Sequence, residues 1–178
     1  MTSVTLGRVV ATLGACGALA VGMAAPAGAG TTWPTYHGDP SRSGVATGEP
    51  ALTPTTLAWS NPLDRSAVYG QPVIADGRVF VADENDQVYA LDGHDGHVLW
   101  STSVGVPLGN VVHNAGCGSI DPLGITSTPV LDLTSNLVYV VAEVSSGGAT
   151  PVHHQLVGLS MSDGSQVVST SADPALPA

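Results

Sequence analysis

The chain contains no lysine, and Arg8, Arg42, Arg65 and Arg78 are its only strong cations against 14 acidic residues, for a formal net charge of −10. A surface of that sign repels nucleic acid and anionic membranes, and four scattered arginines make no basic patch, so nucleic acid is excluded as a partner. Cysteine is nearly absent as well. Cys16 and Cys117 are the only two in 178 residues, so there is no disulfide scaffold and no adjacent Cys-Cys pair. Long helical periodicity is missing. The apolar residues fall instead in short β-branched runs bounded by Gly, Asp, Asn and Pro, which is all-β composition. No Gly-rich phosphate cradle and no Gly-x-Ser-x-Gly elbow occurs. The scattered Ser, His and Asp residues put no nucleophile and base at a defined separation, so the residues assign no catalytic group.

What is present begins with an export signature. Arg8 is followed by the apolar stretch Val9 to Ala25 and by the small-x-small sequence Ala27-Gly28-Ala29, so residues 1–29 read as a signal peptide. Gly14, Gly17 and Gly22 interrupt that stretch, and a spanning helix needs ~20 strongly apolar residues, so a membrane anchor is the weaker reading. Leu13-Gly14-Ala15-Cys16 resembles a lipobox, which would make Cys16 a lipidated N-terminus; ordinary cleavage ranks above it because the apolar stretch continues past Cys16. The expected product is extracytoplasmic, with no transmembrane helix once the signal is removed. The Ala- and Gly-rich, lysine-free composition suits a GC-rich bacterial genome. Residues 30–56 form an N-terminal extension, 57–173 the folded repeats and 174–178 a short tail.

Four strands with tight connections are predicted at Pro72 to Ala75, Arg78 to Ala82, Gln87 to Asp92 and Val98 to Ser103. Asp76-Gly77, Glu84-Asn85-Asp86 and His94-Asp95-Gly96 supply the turns, because Gly, Asn and Asp accept left-handed backbone. The unit then recurs. Thr128-Pro129-Val130-Leu131, Leu137 to Val141 and Val157 to Gly164 match Gln71-Pro72-Val73-Ile74, Arg78 to Ala82 and Tyr89 to Gly96. In the second copy Gly158 replaces Ala90, Ser160 replaces Asp92 and Val168 replaces Trp100, so its blade should dock less tightly. Upstream, Leu57-Ala58-Trp59-Ser60 echoes Val98-Leu99-Trp100-Ser101 without a blade of its own.

The pattern Ala90-x-Asp92-x-x-x-Gly96-x-x-x-Trp100 resembles the tryptophan-docking motif of the pyrroloquinoline-quinone (PQQ) repeat family of β-propellers. Trp33 to Gly44 resembles the opening segment of such proteins, and the resemblance extends to about Ser171. It implies an incomplete propeller: about two four-stranded antiparallel blades plus one orphan outer strand carrying Trp59. Whole propellers have ~4–8 blades, so the chain reads as the N-terminal part of a longer ring. In that reading Ala90, Asp92, Gly96 and Trp100 are structural, the indole wedging between neighbouring blades. The resemblance covers both dehydrogenases, which hold PQQ and calcium and in many cases carry a vicinal disulfide, and scaffolds that recruit partners through loops. The leading reading is a binding or scaffold module with no cofactor in this fragment. The alternative is the N-terminal part of a PQQ- and calcium-dependent dehydrogenase of alcohols or sugars.

Successive turns of a meander alternate between the two ends of the sheet. Asp83 to Asp86, the connection Val104 to Ser127 and the insertion Glu143 to His153 therefore share one face, opposite the docking motif. A connection longer than ~12–15 residues marks the place to look for a partner protein or small-molecule ligand. Its candidate residues are His113, Cys117 and Asp121, with His153 and His154 beside them. Gathering His113, Cys117 and one of these histidines around zinc or copper is chemically conceivable, but the spacing matches no compact metal motif, and Cys117 reads instead as a thiol whose partner lies elsewhere. Asp83-Glu84-Asn85-Asp86 is too short for a calcium loop of the EF-hand type and reads as a solvated hairpin.

Overall fold

The computed structural model describes residues 32–47, 57–145 and 152–174. The expected signal peptide, the lipobox cysteine Cys16 and most of the short tail lie outside the described residues. Among the described residues eight strands run in chain order: β1 Val73–Ala75, β2 Arg78–Ala82, β3 Gln87–Asp92, β4 Val98–Ser103, β5 Val130–Asp132, β6 Leu137–Ser145, β7 Val152–Ser160 and β8 Gln166–Ser171. They form two four-stranded sheets, β1-β2-β3-β4 and β5-β6-β7-β8, in which every neighbouring pair is antiparallel. Each sheet has a register shift at the same repeat position, Ala90/Leu91 in the first and Gly158/Leu159 in the second.

Strand periodicity sorts the side chains. Val73, Phe80, Ala82, Val88 and Ala90 turn one face of the first sheet toward Leu131, Val138, Val140, Val157 and Leu159 of the second, making one shared core. Burying such side chains contributes ~1.5–3 kcal/mol each, which makes this the dominant contact between the sheets. The alternate positions Val81, Tyr89 and Leu91 face the other way and are covered by Trp59 and Leu63. In the second sheet Tyr139, Gly158 and Val168 lie opposite one another across the strands. By the same alternation they face away from the first sheet, so the replacement of Trp by Val168 falls outside the core the two sheets share.

The opening segment lies along the edge where β1 and β5 meet. Trp33 exchanges backbone hydrogen bonds with Ile74 at 2.7 and 2.9 Å, and the Leu131 amide donates to the Pro34 carbonyl at 2.8 Å. Leu57 to Ser60 joins neither sheet. A lone extended segment has no ladder of its own, and what holds this one is its indole.

The long connection carries more structure than its composition suggests. A single helical turn, α1, spans Val111–Asn114. Isolated bridges pair Leu108 with Leu123 and Pro107 with Val144. Leu108, Val111 and Ile125 are buried, so the connection folds back over the end of the first sheet.

Candidate functional site

At the motif end of the sheets, the four residues Ala90, Asp92, Gly96 and Trp100 do not converge on one spot. Ala90 is buried opposite Trp100 across the bulge. Asp92 accepts the His94 amide at 2.7 Å and shapes the turn. Trp100 reaches over to the second sheet, where Nε1 donates to the Met161 carbonyl at 3.1 Å and the ring lies on Gly164. Gly96 instead receives Trp59, whose Nε1 donates to the Gly93 carbonyl at 3.0 Å. A Cβ on Gly164 would come within 2.6 Å of the Trp100 ring, and one on Gly96 within 2.2 Å of the Trp59 ring. Both glycines have positive φ, +74° and +76°. Close approach and left-handed backbone thus both require glycine. Two further hydrogen bonds cross the junction: Thr102 Oγ1 to the Gly164 carbonyl at 2.8 Å and Arg78 to the Met161 carbonyl at 2.8 Å.

The opposite end holds the loop face. Asp121 accepts the Asn110 amide at 2.9 Å and lines a cleft of about 290 Å³ with Arg65, Ser66, Tyr69, Asn85 and Ser119. His113 and Cys117 are exposed on and just after α1, and Cys117 is a free thiol. His153 and His154, on β7, belong to a separate centre. Asp173 accepts the His154 amide at 3.0 Å and contacts His154 Nδ1 at 2.9 Å and His153 Nδ1 at 3.2 Å. These bonds, the His154 amide first, hold the Asp173 carboxyl down at about 2. Glu143 lies 3.9 Å from His154 Nε2; burial raises its pKa, His154 counters that, and Glu84 adds to it. The grouping of His113, Cys117 and a histidine of this pair is not formed among the described residues. Among the described residues, three metal-ligating side chains come together only at the motif end, where the half-buried Asp92 meets the exposed Asp95 and His97.

The acidic turn departs from expectation. Far from being a solvated hairpin, Asp83, Glu84 and Asp86 are 0, 1 and 0 % exposed. The reason is the long connection, which lays Gly124, Ile125 and Thr126 across them. The Gly124 amide donates to Glu84 Oε2 at 2.8 Å, and Ile125 bonds the Asp83 carbonyl at 3.2 Å. Asp83 accepts the Asn85 and Gln87 amides and the Tyr89 hydroxyl. Burial, followed by the charge of Asp83, pushes the Tyr89 phenol up to about 12. Asp86 has no such partners. Burial, then the neighbouring Asp83, Glu84 and Glu143, raises its carboxyl to about 7. Nothing in a four-residue polar turn signals this burial; the only sequence sign was the length of the connection that covers it.

A family model described as outer membrane protein assembly factor BamB matches residues 22–175. The chain belongs to that family of PQQ-like propeller repeats. Its two sheets are two blades, and Trp100 on Gly164 is the joint between them. Among solved structures, the chain is similar to a europium-containing methanol dehydrogenase (21% identity, 58% of this chain and 15% of that one, TM-score 0.42). It is also similar to BamB from Moraxella catarrhalis (22%, 58% and 27%, TM-score 0.41) and to a quinohemoprotein alcohol dehydrogenase from Comamonas testosteroni (20%, 62% and 14%, TM-score 0.42). The chain therefore spans between 14% and 27% of the length of these structures. No curated protein matches it.

Proposed function

We propose that the protein acts as an extracytoplasmic binding or scaffold module, presenting the loop face of its propeller to a partner protein. The observation that carries this is the family match over residues 22–175, whose description is that of an assembly factor. The geometry supports it. One end of the blades is occupied by the tryptophan joints, and the other offers a polar cleft framed by Arg65, Tyr69, Asn85 and Asp121, with Val106 and Val112 exposed at 64 and 66 % nearby in the chain. Aromatic and apolar contacts beside polar groups are what a protein interface uses. Export rests on residues 1–29, and no helix among the described residues is long and apolar enough to cross a membrane.

The dehydrogenase reading needs PQQ and calcium. Photo-crosslinking groups at Asn85 and Ser119, compared with Asp76 and Ser162 at the motif end, test the proposal in the cells that make the protein. Discrete adducts from the loop face alone are expected. Equal labelling from both ends, or dye reduction by the intact protein with PQQ, calcium and an alcohol or sugar, would overturn it.

A further inference from the structure

We propose that the turn between β2 and β3 is a buried cation site, in which Asp86 and Glu84 hold a hard divalent ion of the calcium class. The first observation is the enclosure. Asp86 and Glu84 are 0 and 1 % exposed, covered by the two ends of the long connection. A Cβ on Gly105 would stand 3.1 Å from Asp86 Oδ2, and one on Gly124 would stand 2.8 Å from Asp86 Oδ1. The second is that both Asp86 carboxyl oxygens and Glu84 Oε1 are buried with no hydrogen-bond partner.

A buried carboxylate without a donor or a counter-charge carries a large desolvation cost, and proteins meet it by pairing, protonation or a metal. Pairing is not on offer, because among the described residues every ion pair involves histidine and none involves arginine. One proton on Asp86 would neutralise one group in a neighbourhood that also contains Asp83, Glu84 and Glu143. A divalent ion answers two charges at once. The available donors are all oxygens, which selects the calcium class over zinc or copper. Calcium takes ~6–8 oxygen ligands at ~2.3–2.6 Å, waters among them, and Glu84 also lines the cleft with Arg65 and Asn85, which can supply waters to that shell. The site is separate from the Asp92, Asp95 and His97 group at the other end of the blade.

The test is thermal unfolding of the intact protein in about 1 mM calcium against chelator, a concentration at which extracellular calcium modules bind, alongside equilibrium dialysis with radioactive calcium. Calcium is expected to raise the unfolding midpoint of the wild type by several degrees and to bind. Asp86→Asn and Glu84→Gln should each abolish the shift, while Asp95→Asn keeps it. Absence of binding and of any shift in the wild type would overturn the proposal in favour of a protonated Asp86. So would a shift that survives Asp86→Asn or disappears in Asp95→Asn. Should Asp86→Asn fail to fold, Glu84→Gln and the wild-type dialysis decide.

Discussion

The joint between the blades can be weighed with a double-mutant cycle on Trp100 and Gly164. Trp100→Ala removes a half-buried indole that packs near Phe80 at 6.0 Å between ring centres and bonds the Met161 carbonyl. Large aromatic truncations in cores cost ~3–5 kcal/mol, and partial exposure places this one near the lower end. Gly164→Ala acts differently. At a φ of +74° an L-residue costs about 1–2 kcal/mol in backbone strain. Its Cβ would also meet the Trp100 ring and Thr102 Oγ1, both at 2.6 Å, adding an overpacking cost of about 1–3 kcal/mol. With the indole gone, the backbone strain and the clash with Thr102 remain, and the clash with the ring disappears. The double mutant should therefore be less destabilised than the sum of the singles by about 1–2 kcal/mol, within the range seen for residues in contact. Urea unfolding of the intact protein, followed by far-ultraviolet circular dichroism with unchanged m-values, measures it. Additivity within ~0.5 kcal/mol would refute the claim that this indole rests on that turn.

Three further outcomes follow from the same geometry. Gly96→Ala, with a Cβ 2.2 Å from the Trp59 ring, should lower the unfolding midpoint and shift the Trp59 emission to longer wavelength; an unchanged spectrum would mean the upstream indole is not seated there. The Asp173 carboxyl, held down at about 2 by His154 and His153, has a folded pKa below its ordinary value of 3.8. Its ties therefore add stability at higher pH that is lost as pH falls from about 4 toward 2, and a carbon-detected titration with a midpoint near 3.8 would contradict them. Cys117, free and exposed, should react with a thiol reagent in the native protein as fast as in the denatured one, with mass spectrometry locating the adduct; strong protection would mean the connection covers it.

The strands were legible because each carries its own period-two signal and its own turn residues: Pro72 to Ala75 and Val98 to Ser103 lie within a residue of the observed β1 and β4. The repeat was legible for the same reason, down to Val168 standing where Trp100 stands. Long-range consequences were not. That Trp100 seats on Gly164 while Gly96 receives Trp59 depends on how blades stack, and the motif's spacing within one blade is silent on it. The acidic turn shows the same limit. Asp83, Glu84 and Asp86 look solvated to any local rule, and only the folding back of Gly124 to Thr126 buries them. His153 and His154 pair with Asp173 because β7 and β8 run antiparallel, a partner no spacing rule would select.

Adjacent blades are joined by a tryptophan of one on a glycine turn of the next. Nuclear Overhauser contacts from the Trp100 indole N–H in the intact protein test that directly. Cross-peaks to Met161 and Gly164 are predicted; cross-peaks to Gly96 of its own blade instead would contradict it.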